Sequence, residues 1–276
     1  MLHQLAPDLW RFEPPHPASR RVAVVAGLHG DEDGPIQVVR ELLDPSEGLW
    51  ENCGAEVTLI LGNPDAIACG QRSTPGGADF NRSFGDSTPQ RVAEALRIDT
   101  IKRAVEGMDI VLDLHQTHLP IAPCAVCPDT PEHLRLARHL GAHQAVTGAT
   151  TTLLGGMLID WANRQGILAL TLETGQVGDP RSRDVSLTAI AALISEQGAP
   201  QPDFSTWRLV EPLRAPGENY SWSQDWQNGS RVSPGTVVAN SSSGVLCATV
   251  EGALFLPKLG VKTGEVCALQ AVLKRP

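Results

Sequence analysis

Four short, largely apolar runs constrain the fold of this chain more than any other feature: Val22 to Ala26, Val57 to Leu61, Asp109 to His115 and Ile167 to Leu172. Each is too short for a typical globular helix. Runs of this kind, with little polar alternation, suit strands covered on both faces. Helical patterns separate them. Ile36, Val39, Leu42 and Leu43 recur at a helical period. Thr88-Pro89 reads as an N-cap with proline in the first turn of a helix carrying Val92, Ala95, Leu96, Ile101 and Val105 and stopping near Gly107. Thr130-Pro131 starts another helix, ended by Gly141. Met157 to Gln165 and Asp184 to Glu196 complete the helical set. Strands alternating with helices predict an α/β fold: a mixed, mostly parallel central sheet with helices on both faces. Trp10 to Glu13 is expected as a short first strand and Ile121 to Val126 as a later one.

The character changes after Gly198. Ala199-Pro200-Gln201-Pro202 reads as a linker. Short strand-like runs follow, separated by Gly, Pro and Ser: Thr206 to Val210, Thr236 to Ala239, Gly244 to Val250, Ala253 to Leu256 and Val266 to Leu273. The expected organisation is a catalytic domain over residues 1–200 and a small all-β barrel or sandwich over 201–276.

Composition excludes several function classes. Lys+Arg 22 against Asp+Glu 31 gives a net charge of −9, which carries no footprint for nucleic acid and disfavours anionic membranes. No stretch approaches the roughly 20 apolar residues of a membrane span. Met1 to Glu13 lacks the basic and apolar regions of a secretory signal. Six cysteines in 276 residues are no disulfide framework, so the chain is expected in the cytoplasm with reduced thiols. Cys124-Ala-Val-Cys127 has no matching second pair and reads as thiols buried in a strand.

The chemistry sits where the strands end. Val22 to Ala26 leads into Gly27-Leu28-His29-Gly30-Asp31-Glu32, a glycine-bracketed turn with a His and a Glu three residues apart. An imidazole and a carboxylate so placed can reach one divalent ion; the competing account is a solvated turn with Glu32 favoured by a helix dipole. His115 ends the third run and is the candidate third ligand, preferred over His118 because it closes the apolar strand directly. Asp113 shares its face and could orient an imidazole. Two His and one Glu favour zinc, leaving a position for water. Glu173 ends the fourth run. A carboxylate there is costly unless it has a partner or a chemical role. It is a proton shuttle on one account and a member of a structural salt bridge on the other. The long loop from Asp65 to about Thr88 offers Arg72 and Asp79-Phe80-Asn81-Arg82. Such arginines can stabilise an oxyanion or grip a carboxylate; alternatively Arg82 pairs with Asp79 to brace the loop. Arg181 and Arg183 are read as solvated surface charges, with selection of an acidic substrate as the alternative.

Together these segments resemble the succinylglutamate desuccinylase and aspartoacylase family of the zinc carboxypeptidase superfamily. The matching pieces are Gly27 to Glu32, Asn63-Pro64-Asp65-Ala66, Arg72, Asp79 to Phe84, Asp113-Leu114-His115 and Thr171 to Gly175, in the family's order. The resemblance implies one zinc ion per chain on His29, Glu32 and His115, with Glu173 as general base and acid. It implies Arg72 polarising the scissile carbonyl, and Asn81 and Arg82 holding a substrate carboxylate. It further implies a small N-acyl amino acid as the substrate and a β domain beside the site. The chain departs from the pattern at Asp31, where the family often has Asn, and Tyr220 is its one tyrosine. A carboxypeptidase acting on peptides and a non-catalytic metal-binding protein are the alternatives, and a homo-oligomer is left open.

Overall fold

The computed structural model describes all residues except 45, 47, 52, 86–90, 149–154, 196–197, 200–202, 259 and 275–276. The expected cap at Thr88-Pro89, the helix end at Glu196 and the linker residues Pro200-Gln201-Pro202 lie outside the described residues.

In chain order the strands are β1 (Leu2–Ala6), β2 (Leu9–Phe12), β3 (Arg20–Ala26), β4 (Ala55–Leu61), β5 (Ile110–Thr117), β6 (Cys124–Cys127), β7 (Gln144–Thr147), β8 (Leu168–Gln176) and β9 (Ser205–Arg214). They continue as β10 (Ser221–Trp222), β11 (Ser230–Val232), β12 (Val237–Ser241), β13 (Gly244–Cys247), β14 (Gly252–Phe255) and β15 (Val266–Leu273). The described α-helices are α1 (Asp33–Glu41), α2 (Pro64–Cys69), α3 (Val92–Val105), α4 (Pro131–His139), α5 (Leu158–Arg164) and α6 (Pro180–Ile194).

The centre of the sheet is parallel, in the order β4-β3-β5-β8. Strand β3 shows why. Val22, Val24 and Ala26 enter one apolar cluster with Ile36 and Val39 of α1 and Ile190 of α6. Ala23 and Val25 enter the opposite cluster with Ile98 and Ile101 of α3 and Leu158 of α5. Alternate residues point to opposite faces, so both faces of the strand are roofed by helices and a continuous apolar run is required.

Antiparallel neighbours flank this centre. β2 pairs with β4 and β1 with β2; β1 is a strand that no sequence pattern marks. β6 runs antiparallel to β8 and parallel to β7. Of the stretch expected from Ile121, only Cys124–Cys127 is strand, with both thiols buried and free. Helix α6 starts four residues before its expected start at Asp184. The Asp179 carboxylate accepts the Arg181 N–H, and Pro180 occupies the first turn.

The segment from Ser205 onward is all strand and loop among its described residues, yet its strands do not form a separate sheet as expected. β9 pairs parallel with β7, and β15, β14 and β11 extend the same sheet to twelve strands. Among the described residues, β10, β12 and β13 form a small second sheet. Tyr220, Trp226, Val238 and Cys267 belong to a third apolar cluster at this end.

Candidate metal and catalytic centre

The turn after β3 is shaped by two glycines. Gly27 has φ +68, in the left-handed region. Gly30 lies against α2 so closely that a Cβ would fall 2.0 Å from the Ala66 carbonyl carbon. Asn63 sets α2 in that position: its Oδ1 accepts the Ala66 N–H at 3.2 Å and the Thr74 hydroxyl at 3.1 Å. The Asn63-Pro64-Asp65-Ala66 segment is thus the cap and first turn of the helix against which the His29 turn is pressed.

Glu32 occupies the N-cap of α1 but makes no side-chain cap bond. Gln116 takes that role, its Oε1 accepting the Gly34 N–H at 2.9 Å. The Glu32 carboxylate is thereby left for the centre. Its Oε1 lies 2.7 Å from His29 Nδ1, and its Oε2 lies 2.9 Å from His115 Nδ1. One ligand atom from each of His29, Glu32 and His115 lies within 4.8 Å of the others, and all three side chains are buried. The outer nitrogens are held by carboxylates. His29 Nε2 donates to Asp79 Oδ1 at 3.1 Å, and His115 Nε2 donates to Asp113 Oδ2 at 3.0 Å. These bonds fix the ring orientations and leave both Nδ1 atoms facing inward, the arrangement of a histidine metal centre. The donor set fits a zinc ion.

The charges follow from burial. Burial alone would lower the His115 pKa, but Asp113 and Glu32 outweigh it and hold it well above the ordinary value. Burial would raise Glu32, and the two imidazoles reverse that, leaving it below the usual carboxylate range. Glu173 lies beside His115 in register on the neighbouring strand. Burial pushes its carboxyl up to about 7, with His115 pulling downward and Glu32 upward. Its Oε2 is buried and makes no hydrogen bond among the described residues.

The long loop reaches the same cleft. Arg72, Asn81 and Arg82 line it together with His29, Glu32, His115 and Glu173. Arg72 pairs with Asp79 at 2.9 Å and lies 3.9 Å from Glu32. Asn81 Oδ1 accepts the Leu158 N–H at 3.0 Å, and its Nδ2 is 3.2 Å from His115 Nε2. Arg82 donates to the Asn81 carbonyl at 2.7 Å. Arg181 and Arg183 stand in surface pairs with Asp179 and Glu41. Asp31 faces His118 at 3.6 Å at the rim of the centre.

His29, Glu32, His115, Glu173, Arg72, Asn81 and Arg82 therefore line one cleft, whereas Arg181 and Arg183 stand outside it. Sequence reasoning misses Gln116 as the helix cap. It also misses the wall supplied by Asn228, Leu256, Pro257 and Lys258, which no local motif marks.

The family model "Succinylglutamate desuccinylase/Aspartoacylase catalytic domain" matches residues 18–194. The chain belongs to this family. Within it, the chain is 32% identical over 209 residues to a succinylglutamate desuccinylase of Burkholderia pseudomallei (strain 1710b), covering 68% of this chain and 58% of that one. It is 29% identical over 140 residues to the human N-acyl-aromatic-L-amino acid amidohydrolase (carboxylate-forming), covering 46% and 43%. The chain thus spans less than two thirds of the curated relatives it matches. In fold it is similar to the X-ray structure of succinylglutamate desuccinalase from Vibrio parahaemolyticus, with a TM-score of 0.80 at 17% identity, covering 97% of this chain and 86% of that one. Among the described residues, no helix is long and apolar enough to cross a membrane.

Proposed function

We propose that this protein is a hydrolase that cleaves the amide bond of small N-acyl amino acids, with one zinc ion per chain held by His29, Glu32 and His115. The observation that carries the reading is the placement of Glu173, a buried carboxylate with an unpartnered oxygen, beside a buried three-donor cluster. The names of the relatives, a desuccinylase and an N-acyl-amino acid amidohydrolase, support the amide bond as the target.

A zinc ion bound there would supply Lewis acidity and lower the pKa of water toward about 7. The chain's own groups do the rest. Asp79 and Asp113 hold the two imidazoles with Nδ1 inward. In the metal-free fold burial raises the Glu173 carboxyl to about 7, the direction that suits a group which both takes and returns a proton. Glu173 takes a proton from the attacking water on Oε2 and delivers it to the amide nitrogen as the C–N bond breaks. Arg72, steadied by Asp79, presents a fixed cation to the oxyanion that forms from the carbonyl. Asn81 has its Oδ1 occupied, so Nδ2 is its donor toward a ligand; with the Arg82 guanidinium it grips the substrate carboxylate.

We read residues 1–200 as the catalytic unit and 201–276 as the segment that closes the cleft. Leu256, Pro257 and Lys258 on one wall favour small substrates over long peptides. The test is amine release by the zinc-loaded protein from a panel of N-acyl amino acids and dipeptides. Glu173→Gln should lose about 10²–10⁴-fold in turnover while retaining zinc. Release from dipeptides alone would move the protein to the peptidases, and full activity in Glu173→Gln would remove the proposed proton shuttle.

A further inference from the structure

Strands β5 and β8 fall out of step immediately after the residues that face the metal centre. His115 is paired with Glu173, yet the next pair in register is Thr117 with Gln176. β5 thus advances two residues where β8 advances three, and the extra residue makes a bulge in β8 directly after Glu173. Gly175 lies within it at φ +146, a conformation that side chains rarely adopt. Such bulges bend a strand and re-aim the side chains beside them. Hydroxyl contacts hold its near side: Thr174 Oγ1 donates to the His115 carbonyl at 3.0 Å and lies 2.7 Å from Ser182 Oγ of α6.

Gln116, between the two paired positions on β5, holds the far side. Its Nε2 donates to the Gln176 carbonyl at 2.8 Å. The other contact from a β5 side chain to the bulge, Thr117 Oγ1 to the Gly175 carbonyl, is long at 3.4 Å. At its opposite end, Gln116 Oε1 accepts the Gly34 N–H of α1 at 2.9 Å, and its backbone N–H donates to Glu32 Oε2 at 3.1 Å. The side chain is buried and tightly wedged: a Cβ on Gly34 would stand 3.3 Å from Nε2. Both side-chain partners are backbone groups, one a donor and the other an acceptor. A neutral amide satisfies both at once, whereas an ionised glutamate serves Gly34 alone and methionine serves neither.

We propose that Gln116 is a positioning residue that ties the metal ligand Glu32 to the proton shuttle Glu173. Through Oε1 it keeps Glu32 from turning back to cap its own helix. Through Nε2 it clamps the bulge that sets where Glu173 stands. This inference rests on the metal-dependent amide-hydrolase reading above. Without Oε1 the buried Gly34 N–H lacks its acceptor, which is costly. An N-cap side chain ordinarily serves the N–H two or three residues on, and Gly34 is two residues after the N-cap Glu32. The Glu32 carboxylate is thus the group drawn away from the metal when the amide is removed. Without Nε2 the bulge loses a tie to β5 three residues from Glu173. A misplacement of about 1 Å at a reacting group costs on the order of 10²-fold in rate.

The experiment compares Gln116→Met, nearly isosteric and without either bond, with Gln116→Glu, which keeps the acceptor for Gly34 and loses the donor. Zinc affinity of Gln116→Met, by chelator competition, should fall at least about tenfold. The visible absorption of its cobalt(II)-substituted form should shift as Glu32 leaves the ion. Gln116→Glu should bind zinc within about threefold of wild type and leave the cobalt band in place. It should nevertheless lose about 10–100-fold in kcat, at nearly constant KM, on the N-acyl amino acid that wild type turns over best. Hydrogen exchange read by mass spectrometry follows both ties without turnover. Amides 174–178 should exchange about 5–10-fold faster in both variants, and the Gly34 amide faster in Gln116→Met alone. A role in stability only would move metal binding, exchange and turnover together in both variants, and that result would overturn the proposal. So would unchanged zinc affinity and cobalt band in a folded Gln116→Met. Should Gln116→Met misfold, Gln116→Glu decides: faster exchange at 174–178 with zinc binding intact supports the tie, and unchanged exchange rejects it. Absence of turnover on every N-acyl amino acid would instead sink the hydrolase reading, and exchange and the cobalt band would still settle the role of Gln116.

Discussion

Asp113→Asn isolates the contribution of one buried carboxylate to the metal centre. Asp113 is fully buried; its Oδ2 accepts from His115 Nε2 at 3.0 Å and from the Thr171 hydroxyl at 3.2 Å. Asparagine has nearly the same shape, and its Oδ1 can still accept from Nε2, so the ring need not move. What disappears is the charge that keeps the proton on Nε2 and makes Nδ1 a strong donor. A hydrogen bond to a charged group contributes about 1.5–3 kcal/mol against about 0.5–1.5 for a neutral pair. The difference, about 1–1.5 kcal/mol, corresponds to roughly tenfold in affinity. Losses of this kind around metal-ligating histidines run about 10–100-fold, so zinc affinity should fall by at least about tenfold. Competition against a fluorescent chelator at fixed pH measures it, with thermal unfolding confirming the fold. Asp79→Asn is the internal comparison. Asp79 is 29% exposed and already shared with Arg72, so its loss at His29 should be smaller. Zinc affinity within threefold of wild type in a folded Asp113→Asn protein would refute the account of how His115 is held.

Two further outcomes follow from the same geometry. The Glu173 carboxyl sits at about 7 in the fold against an ordinary 4.5, so between those values the native metal-free protein keeps a proton that the unfolded chain releases. Its contribution to stability therefore falls as pH rises through that window, by up to about 3 kcal/mol. The unfolding midpoint of metal-free Glu173→Gln should gain on wild type between pH 5 and 8; a constant difference would show that Glu173 is ionised throughout. Gly30→Ala should disrupt the centre without touching a ligand, because the new methyl would lie 2.0 Å from the Ala66 carbonyl carbon. Overpacking against backbone costs about 1–3 kcal/mol or more, and zinc binding should weaken with the displaced turn; unchanged stability and metal affinity would mean that α2 does not press on the turn as described.

The parts legible in the sequence are those whose physics is local. A both-sides-buried strand writes itself as an apolar run, so the runs at β3, β4 and β5 fall within two residues of the strands' limits. Strand β8 continues four residues past Leu172 to Gln176, and β5 two past His115, so Glu173 and His115 lie inside their strands rather than at the ends. The chemistry of α/β sheets gathers at strand ends, so His29, His115 and Glu173 can be nominated from the residues that close those runs. What escapes is set by distant partners. β7 has only four residues and no pattern of its own; it is a strand because β6 and β9 bind it on either side. Pairing of β9 with β7 turns an expected separate β unit into a continuation of the central sheet, and no residue in Ser205–Arg214 encodes which edge it will join. Gln116 reads as an unremarkable polar residue after His115, yet by capping α1 it releases the Glu32 carboxylate for the centre. The wall from Asn228 and Leu256 is similar, since its position depends on a hydrogen bond to Pro120, more than a hundred residues earlier. Ligand chemistry is therefore written in short motifs, whereas the shape that would choose among substrates is written in contacts between segments. The same division explains why the motifs point to a family, while any choice among substrates has to be sought in the walls of the cleft, which distant segments supply.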